Sequence, residues 1–348
     1  MKKIISMLMA VSLSMMVFAG CSSEPNEETP NTPDDPGVET PEEEPVELKK
    51  LSIAYMPNYA SLNTVVAGMR MGYFEEQGFD IELVEFADGP TIIAAMESGS
   101  IDLGYIGPGA HKLAIEGRTK IFAISHFGNA DEVIANTDKG IKTIEDLKGK
   151  TIAMASGTTS EMILDMTLKD AGLTKDDVVI MDMDPSAIVT AMISGSVDAA
   201  ATWSPNTFTI KEDMGDKAMM LTNNATYVET LPSIASWIVN PGYAEENADT
   251  VLKFTKALYK AMDYRTENVE EVCKWVAEEA KLDEASVLDQ RGDGEWITSE
   301  WLKESLDNGR LVSVYQAQQD NFIESGAVET EAPVKDYVML DNMQEAFE

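Results

Sequence analysis

The sequence predicts an α/β protein with two lobes, each built on a doubly wound, mainly parallel sheet. Short apolar runs alternate with helical patterns from residue 51 onward, and the alternation restarts after DLKGK (146–150). Such alternation is typical of βαβ units. One segment also occurs twice, as AAMESGSID (94–102) and TAMISGSVD (190–198). Two series of units that share a segment indicate two similar halves.

The apolar runs give the predicted strands and the limits of the lobes. The strands of the first lobe are LSIAY, IELVEF, IDLGYI and KIFAIS, and those of the second are TIAMA, VVIMDM, VDAAAT and KAMMLT. IANTD (134–138) is the predicted crossing to the second lobe, and SIASWIVN (233–240) is the predicted return. We therefore expect residues 48–136 and 237–348 to form lobe 1, and residues 137–236 to form lobe 2.

Helical spacing predicts two of the helices most clearly. Residues 61–72 place apolar side chains on one face and end at Gly72. A second apolar stripe runs through residues 251–262, in a C-terminal part that is mostly helical. We expect this part to pack on lobe 1.

The repeated segment predicts a cleft between the lobes. Each copy is a helix that ends at a glycine, Gly99 or Gly195, followed by a strand. Ligands bind beyond the carboxyl ends of the strands in such sheets. The loops GYIGPG and ATWSPN would then face each other across one cleft. Alternatively, the two copies are only the helix–glycine–strand turns that recur in α/β proteins, although identity this close favours the first interpretation.

The N-terminus predicts export and a membrane anchor. Residues 1–20 have a charged start followed by a long apolar run, as in a signal peptide. VFAG before Cys21 resembles the lipobox of bacterial lipoproteins, although Phe18 departs from the usual aliphatic residue. The alternative is an ordinary secreted protein that is cleaved nearby. Residues 22–47 carry six prolines, ten acidic residues and no basic residue, so we expect a disordered tether over 21–47.

The charge of the chain limits its partners. The net charge is −35, and 51 acidic residues face 24 basic ones once the signal and tether are set aside. A body this acidic avoids nucleic acid and anionic lipid surfaces. We therefore expect no nucleic-acid partner, and membrane contact only through the N-terminal lipid.

Several predicted loops open helices at the cleft and suggest how a solute is bound. ADGPT, MDPSA, SGTTSE (156–161) and GPGA (107–110) provide helix starts or glycine-rich backbone, which favour anions. Apart from Lys112, the loops lack basic residues, and they contain Asp88, Glu161 and Asp184. This pattern favours a weakly basic oxyanion, with an amine at its other end. Alternatively, the three acids are helix caps that face solvent.

Aromatic residues at strand ends and crossings could form the walls of the cleft. They are Tyr55, Tyr59, Tyr105, Trp203 and Trp237. Trp203 ends a strand and opens the loop WSPN, so we expect it to contact the ligand.

Signals of an enzyme or a metal site were weak. GKT (149–151) lacks the glycine that a phosphate-binding loop needs at position 144, and two histidines are too few for an ordinary zinc site. Residues 289–300 resemble a calcium loop, but Arg291 occupies a ligand position. Cys273 shares a face with valines and is predicted to be buried. We expect no catalytic residue, no cofactor and no metal.

An ordered set of motifs resembles a known family. LSIAYMPN, VEFADGP, SGSIDLGYIGPG, IEDLKGKTIAMASGTTSE, GSVDAAATWSPN and WIVNPGYAEEN are similar, from about residue 50 to the C-terminal YVML, to the solute-binding lipoproteins of ABC importers for nitrate, taurine and aliphatic sulfonates, the NMT1/THI5-like family. The resemblance implies a type II periplasmic-binding-protein fold, in which two hinge strands join the lobes. It also implies a small-molecule solute, and a permease and its ATPase as partners.

The resemblance and the loops together give a candidate ligand-binding set. The residues are Met56, Asn58, Tyr59, Asp88, Gly89, Pro90, Thr91, Gly107, Pro108, Gly109, Thr158, Thr159, Ser160, Asp184, Trp203 and Ser233. Three positions depart from the sulfonate-binding pattern, since many relatives carry a polar residue at Met56, an aspartate at Ser204 and a small residue at Asp88.

The predicted function is that of an extracytoplasmic, membrane-anchored and monomeric receptor of an ABC importer. It would capture a sulfonate-like or taurine-like solute between two lobes. The alternatives are a receptor for a thiamine-precursor-like or other amine or heterocyclic solute, an enzyme of the same fold, or a surface adhesion protein. A related branch of thiamine-precursor enzymes uses a cysteine-rich motif that this chain lacks.

Overall fold

The structure, a computed structural model, describes residues 47–228 and 230–348. The predicted signal peptide (1–20), Cys21 and nearly all of the predicted tether (21–47) lie outside the described residues. The described residues form one compact unit.

The strands of the described residues form two sheets. The strands are β1 (Lys49–Tyr55), β2 (Phe79–Glu85), β3 (Leu103–Ile106), β4 (Lys120–Gly128), β5 (Asp131–Asn136), β6 (Thr151–Met154), β7 (Val179–Asp182), β8 (Ala199–Trp203), β9 (Ala218–Asn223), β10 (Ile234–Val239) and β11 (Gly294–Glu295). The first sheet has the order β11-β4-β10-β3-β1-β2, and the second has the order β7-β6-β8-β5-β9.

The two sheets share one topology. In the first sheet β1 is parallel to β2 and β3, and β10 runs antiparallel between β3 and β4. In the second sheet β6 is parallel to β7 and β8, and β5 runs antiparallel between β8 and β9. Each sheet is therefore mainly parallel with one reversed strand inside it, and the first sheet has a second reversed strand, the two-residue β11, at its edge. This arrangement confirms the predicted α/β class with two similar halves.

The helices pack against both sheets and dominate the C-terminal part. They are α1 (Tyr59–Arg70), α2 (Gly89–Glu97), α3 (His111–Ile115), α4 (Thr159–Asp170), α5 (Pro185–Ile193), α6 (Asn206–Met214), α7 (Pro241–Glu246), α8 (Ala248–Glu267), α9 (Val269–Ala280), α10 (Glu284–Asp289), α11 (Ser299–Asp307), α12 (Arg310–Glu324), α13 (Val334–Tyr337) and α14 (Leu340–Glu345). Over the described range, no helix combines the length and apolar character that a membrane crossing needs.

The two helices predicted from spacing are confirmed. α1 buries Leu62, Val65 and Val66, and the apolar stripe of α8 from Val251 to Met262 is fully buried. α1 and α8 pack against each other, which places the C-terminal helices on the first sheet as expected. Cys273 is free and buried in the same core, as predicted.

The chain crosses between the sheets twice. β4 ends at Gly128 in the first sheet, and β5 begins at Asp131 in the second, so the first crossing lies at residues 129–130. The strand 131–136 thus belongs to the second sheet, whereas the sequence placed it in lobe 1. The misplacement arises because an apolar strand gives no sign of the sheet that it joins. The return crossing ends at β10, and Gly128 N–H donates to Ser233 O at 2.6 Å, so the two crossings touch.

We name the two parts by their sheets. The first half comprises residues 47–128 and 234–348, and the second half comprises residues 131–223. Each reversed strand, β10 or β5, is the strand that enters its sheet directly from the other half.

The repeated segment forms the same local structure in both halves. The helix ends before a left-handed glycine, Gly99 (φ +75°) or Gly195 (φ +70°), a backbone conformation that glycine adopts without strain. The aspartate that closes each copy then accepts a backbone N–H from the central strand: Asp102 from Ser52 at 2.8 Å and Asp198 from Thr151 at 2.9 Å. The repeat therefore fixes a helix–turn–strand unit to its sheet, at the strand end away from the carboxyl-end loops.

Removal of either aspartate side chain should destabilise the fold. Asp102→Ala and Asp198→Ala leave a strand N–H without its side-chain acceptor, so we expect the free energy of unfolding to fall by about 1–2 kcal/mol. Urea denaturation measures the change. Asp176→Ala, at an exposed position, is the matched control and should stay within about 0.5 kcal/mol of the parent. Equal stability of all three variants would contradict this role of the repeat.

Candidate functional site

A cavity lies between the two halves at the carboxyl ends of the strands. Its lining residues are Met56, Asn58, Ala60, Gly89, Pro90, Tyr105, Gly107, Pro108, Ala110, Gly128, Ala130, Asp131, Thr158, Thr159 and Trp203. The cavity volume is ≈ 60 Å³. Pockets for drug-sized ligands usually measure about 300–1,000 Å³, so this cavity suits a small solute.

The helices that begin near the cavity differ in whether a side chain caps their first N–H groups. Asn58 caps α1 by accepting from Ser61 N, and Asp88 caps α2 by accepting from Thr91 N. Thr158 precedes α4 and makes no side-chain cap, because its hydroxyl donates to Ala155 O instead. The first N–H groups of this 12-residue helix thus have no side-chain cap, and Thr158 and Thr159, at its positive end, line the cavity.

Nine of the residues proposed from the sequence line the cavity. They are Met56, Asn58, Gly89, Pro90, Gly107, Pro108, Thr158, Thr159 and Trp203. The loops after both copies of the repeat contribute, through Gly107–Pro108 and Trp203. The structure thus brings together GYIGPG and ATWSPN at one cavity, as the repeat predicted.

Seven proposed residues lie off the cavity and have other partners. They are Tyr59, Asp88, Thr91, Gly109, Ser160, Asp184 and Ser233. Asp88 and Asp184 accept N–H groups at the starts of α2 and α5, which is the capping alternative. Ser233 accepts a hydrogen bond from the Asn224 side chain at 3.1 Å at the return crossing. Tyr59 is fully buried against Trp296.

Glu161 forms ion pairs instead of lining the cavity. Its carboxylate contacts Lys112 of the first half at 3.2 Å and Lys175 at 2.7 Å, and it accepts Gly157 N–H. Burial alone would raise the pKa of Glu161, but these hydrogen bonds and charges bring it to about 2. The acid stays ionised, and it links the halves beside the cavity.

Sequence reasoning missed the one acidic side chain on the cavity wall, Asp131. This residue begins β5 and is only 6% exposed. Its Oδ1 accepts the Ser160 hydroxyl at 3.0 Å. Burial raises the pKa of Asp131 to about 7, against the opposing effect of the Ser160 hydrogen bond. A polar residue directly at a crossing was the sequence signal that could have identified it.

A second buried carboxyl group joins the halves nearby. Asp293 of the first half accepts a short hydrogen bond from the Ser204 hydroxyl of the second half. Burial raises the pKa of Asp293 to about 7, although Ser204 lowers it. This aspartate lies in the segment that resembles a calcium loop, and it contacts the protein itself.

The backbones of the two halves come close together at two glycines of the first half. A Cβ built on Gly109 would lie 2.1 Å from the Thr158 carbonyl carbon, and one built on Gly107 would lie 2.9 Å from Thr159 Oγ1. Gly109 N–H also donates to Thr159 Oγ1 at 3.2 Å. No other residue type fits at position 109 in this closed arrangement.

Comparisons with known proteins agree with the fold. The NMT1/THI5-like family model matches residues 60–272. A Brucella abortus (strain 2308) protein named as a binding protein is 33% identical over 290 residues, which cover 83% of this chain and 90% of that protein. A Bacillus subtilis (strain 168) protein named as an aliphatic sulfonates-binding protein is 26% identical over 312 residues, 87% and 89% of the two chains. The structure of the alkanesulfonate-binding protein SsuA from Xanthomonas axonopodis pv. citri bound to MOPS has a TM-score of 0.67 at 21% identity, over 84% and 98% of the chains.

The fold and the family match define a solute-binding protein of the class that serves ABC importers, with the two-lobed periplasmic-binding-protein fold. Its relatives are named as binding proteins, which agrees with the expectation that the chain is not an enzyme. The chain belongs to the NMT1/THI5-like family.

A methyl group at position 109 should prevent full closure. In Gly109→Ala the new Cβ overlaps the Thr158 backbone, so we expect ligand affinity to fall at least about tenfold. Calorimetry with the ligand found by the screen described below measures the change. Gly292→Ala is the matched control, because a Cβ there meets nothing within 4 Å. Unchanged affinity in Gly109→Ala would show that binding does not need this contact.

Proposed function

We propose that the protein is the extracytoplasmic receptor of an ABC importer, which closes two lobes around a small organic solute and delivers it to the permease. The observation that carries the proposal is the cavity, whose wall comes from both halves. A ligand that touches both walls stabilises the closed state more than the open one, and only this difference drives closure.

The two halves serve as the lobes. Their hinge would be the pair of crossings, at residues 129–130 and before β10, which are held together by the bond from Gly128 N–H to Ser233 O. Lys112–Glu161 and Ser204–Asp293 join the halves across the cleft in this closed form. Opening at the hinge would break these contacts and admit the solute.

We propose a sulfonate-like or taurine-like solute, with an oxyanion at the start of α4. The uncapped helix start at Thr158 and Thr159 supports this placement, because N–H groups there suit a negative oxygen. The names of the Bacillus subtilis relative and of SsuA support the sulfonate class. Backbone donors would replace the basic side chain that a strongly charged anion usually attracts.

A thermal-shift screen tests the proposed function. The purified full chain is heated with a library of sulfonates, amines and oxyanions, and a true ligand raises the melting temperature with the logarithm of its concentration. Small-angle scattering on each hit should then show a more compact particle. A library without a single shift, or hits that leave the scattering unchanged, would argue against a closing receptor.

We also propose that the lipid on Cys21 anchors the receptor outside the cell membrane. Cys21→Ala should lose acyl labelling and move to the soluble extracytoplasmic fraction, because the thiol is the attachment point. Cys273→Ala is the matched control, since Cys273 is buried in the fold and should leave the protein at the membrane. Membrane retention of Cys21→Ala without label would point to another anchor.

A further inference from the structure

Among the described residues that line the cavity, one has a charged side chain. Asp131 is acidic, and no lysine, arginine or histidine lines the cavity in the described part of the chain. The nearest candidate by sequence, Lys112, is engaged with Glu161 and lies off this wall. The fixed charge that a bound solute meets is therefore negative.

The carboxylate of Asp131 is held at the cavity wall by its neighbours. Oδ1 accepts the Ser160 hydroxyl at 3.0 Å, and the backbone N–H of Asp131 donates to Asn224 Oδ1 at 2.7 Å. The Asn224 side chain also lies close enough to lower the pKa of the carboxyl group. A side chain that is only 6% exposed is thus fixed by these partners while it lines the cavity.

Trp203 stands beside this carboxylate. Asp131 and Trp203 are directly paired residues of the antiparallel strands β5 and β8, so their side chains lie on the same face of the sheet. Both line the cavity, and Tyr105 from the first half lines it as well. A carboxylate next to an indole ring is a combination that receives a cation, through ionic and cation–π attraction.

An anionic solute without a positive group fits this wall poorly. Two negative charges in one enclosed space repel strongly, since the low local dielectric screens them little. The Ser160 hydroxyl at the start of α4 already donates to Asp131. An oxyanion at α4 therefore needs a positive group on the same molecule to balance the aspartate.

We propose that Asp131 sets the specificity of the cleft by binding a protonated amine or amidine-type nitrogen of the solute, with Trp203 covering the nitrogen. This inference rests on the proposed function and narrows its solute class. Amino-substituted solutes are ligands, whereas the same anions without nitrogen are excluded.

Matched pairs of probes test the inference on the unmodified full chain. Taurine and isethionate differ only in an ammonium group against a hydroxyl, and homotaurine and 3-hydroxypropanesulfonate form a second pair; agmatine supplies nitrogen cations without an oxyanion. In calorimetry, an amino sulfonate should bind with at least about 30-fold higher affinity than its hydroxyl partner. Alternatively, a nitrogen cation without an oxyanion should exceed the sulfonates as a group by the same factor. This comparison does not depend on the folding of any variant.

Asp131→Asn tests the residue itself. Asparagine keeps the shape and an acceptor for Ser160 but removes the charge, so affinity for the nitrogen-bearing probe should fall at least about 30-fold. Asp263→Asn is the matched control, because Asp263 also accepts a serine hydroxyl, that of Ser299, but lies off the cavity wall and within the first half. Its affinity should remain within about threefold of the parent, and melting temperatures check that both variants fold.

The pH dependence gives a second readout. Asp131 has a pKa raised to about 7 by burial, so the carboxyl takes up a proton as the pH falls and loses its hold on a cation. Affinity for the cationic probe should therefore decrease about tenfold from pH 8 to pH 6. Glu132, which is paired with Lys211, and Asp293 are the charged groups around Asp131, so the same titration of Asp293→Asn identifies the group responsible.

The outcomes separate this inference from the proposed function. A nitrogen-free sulfonate that binds as tightly as its amino partner, or an Asp131→Asn variant with parental affinity, overturns the specificity role and leaves the receptor intact. Failure of every probe, with nitrogen or without it, overturns the inference together with the proposed receptor function. Selective binding of nitrogen-bearing probes that is lost in Asp131→Asn supports both.

Discussion

The reversed strand that each sheet receives from the other half is the constraint on which the site depends. β5 and β10 each enter their sheet between two strands that are parallel to each other, so both crossings lie at the carboxyl ends of the neighbouring strands. Ligands bind at that edge in α/β sheets. The same two segments therefore connect the halves, and the first of them borders the cavity. Gly128, Ala130 and Asp131 all line the cavity because of this arrangement.

The electrostatics of the cleft follow from the same geometry. β5 begins at the first crossing, so its first residue, Asp131, lies beside the space between the halves. Glu132 directly after it lies against Lys211 and is neutralised. The backbone alternates sides, so one carboxylate goes to an ion pair and the next to the cavity. In the proposed receptor, a pocket that carries one carboxylate among its described residues would discriminate by charge at that position and by shape at the others.

Much of the fold followed from the sequence, because its signals are local. The spacing in α1 and α8, the glycine stops at Gly99 and Gly195, and the order of apolar runs each depend on a few adjacent residues. The reversed position of β5 was not accessible in this way. Membership of a sheet is decided by distant hydrogen-bond partners, and a six-residue strand with an apolar centre is equally compatible with either lobe.

The sequence predicted only part of the candidate site, because distant partners also decide which side chains reach the cavity. Sequence located the helix starts, and several line the cavity, but a cap residue and a ligand contact are the same residue types at the same spacing. Asp88 and Asp184 turn inward to their own helices, whereas Thr158 leaves the start of α4 open. The direction of each side chain depends on the competition between local N–H groups and the cavity. Asp131 has no helix start of its own to cap, and its role is visible only beside Trp203.

Two kinds of contact would then stabilise the closed state: contacts within the protein itself, and contacts that form only when the solute is bound. Lys112–Glu161 and Ser204–Asp293 already join the halves, and the glycine at 109 allows backbone contact. Against them stands the cost of enclosing the carboxyl of Asp131, whose raised pKa shows that the closed cavity disfavours its charge. A solute that brings a positive nitrogen removes this penalty only in the closed form. The energy that discriminates solutes would then be the same energy that shifts the receptor from open to closed.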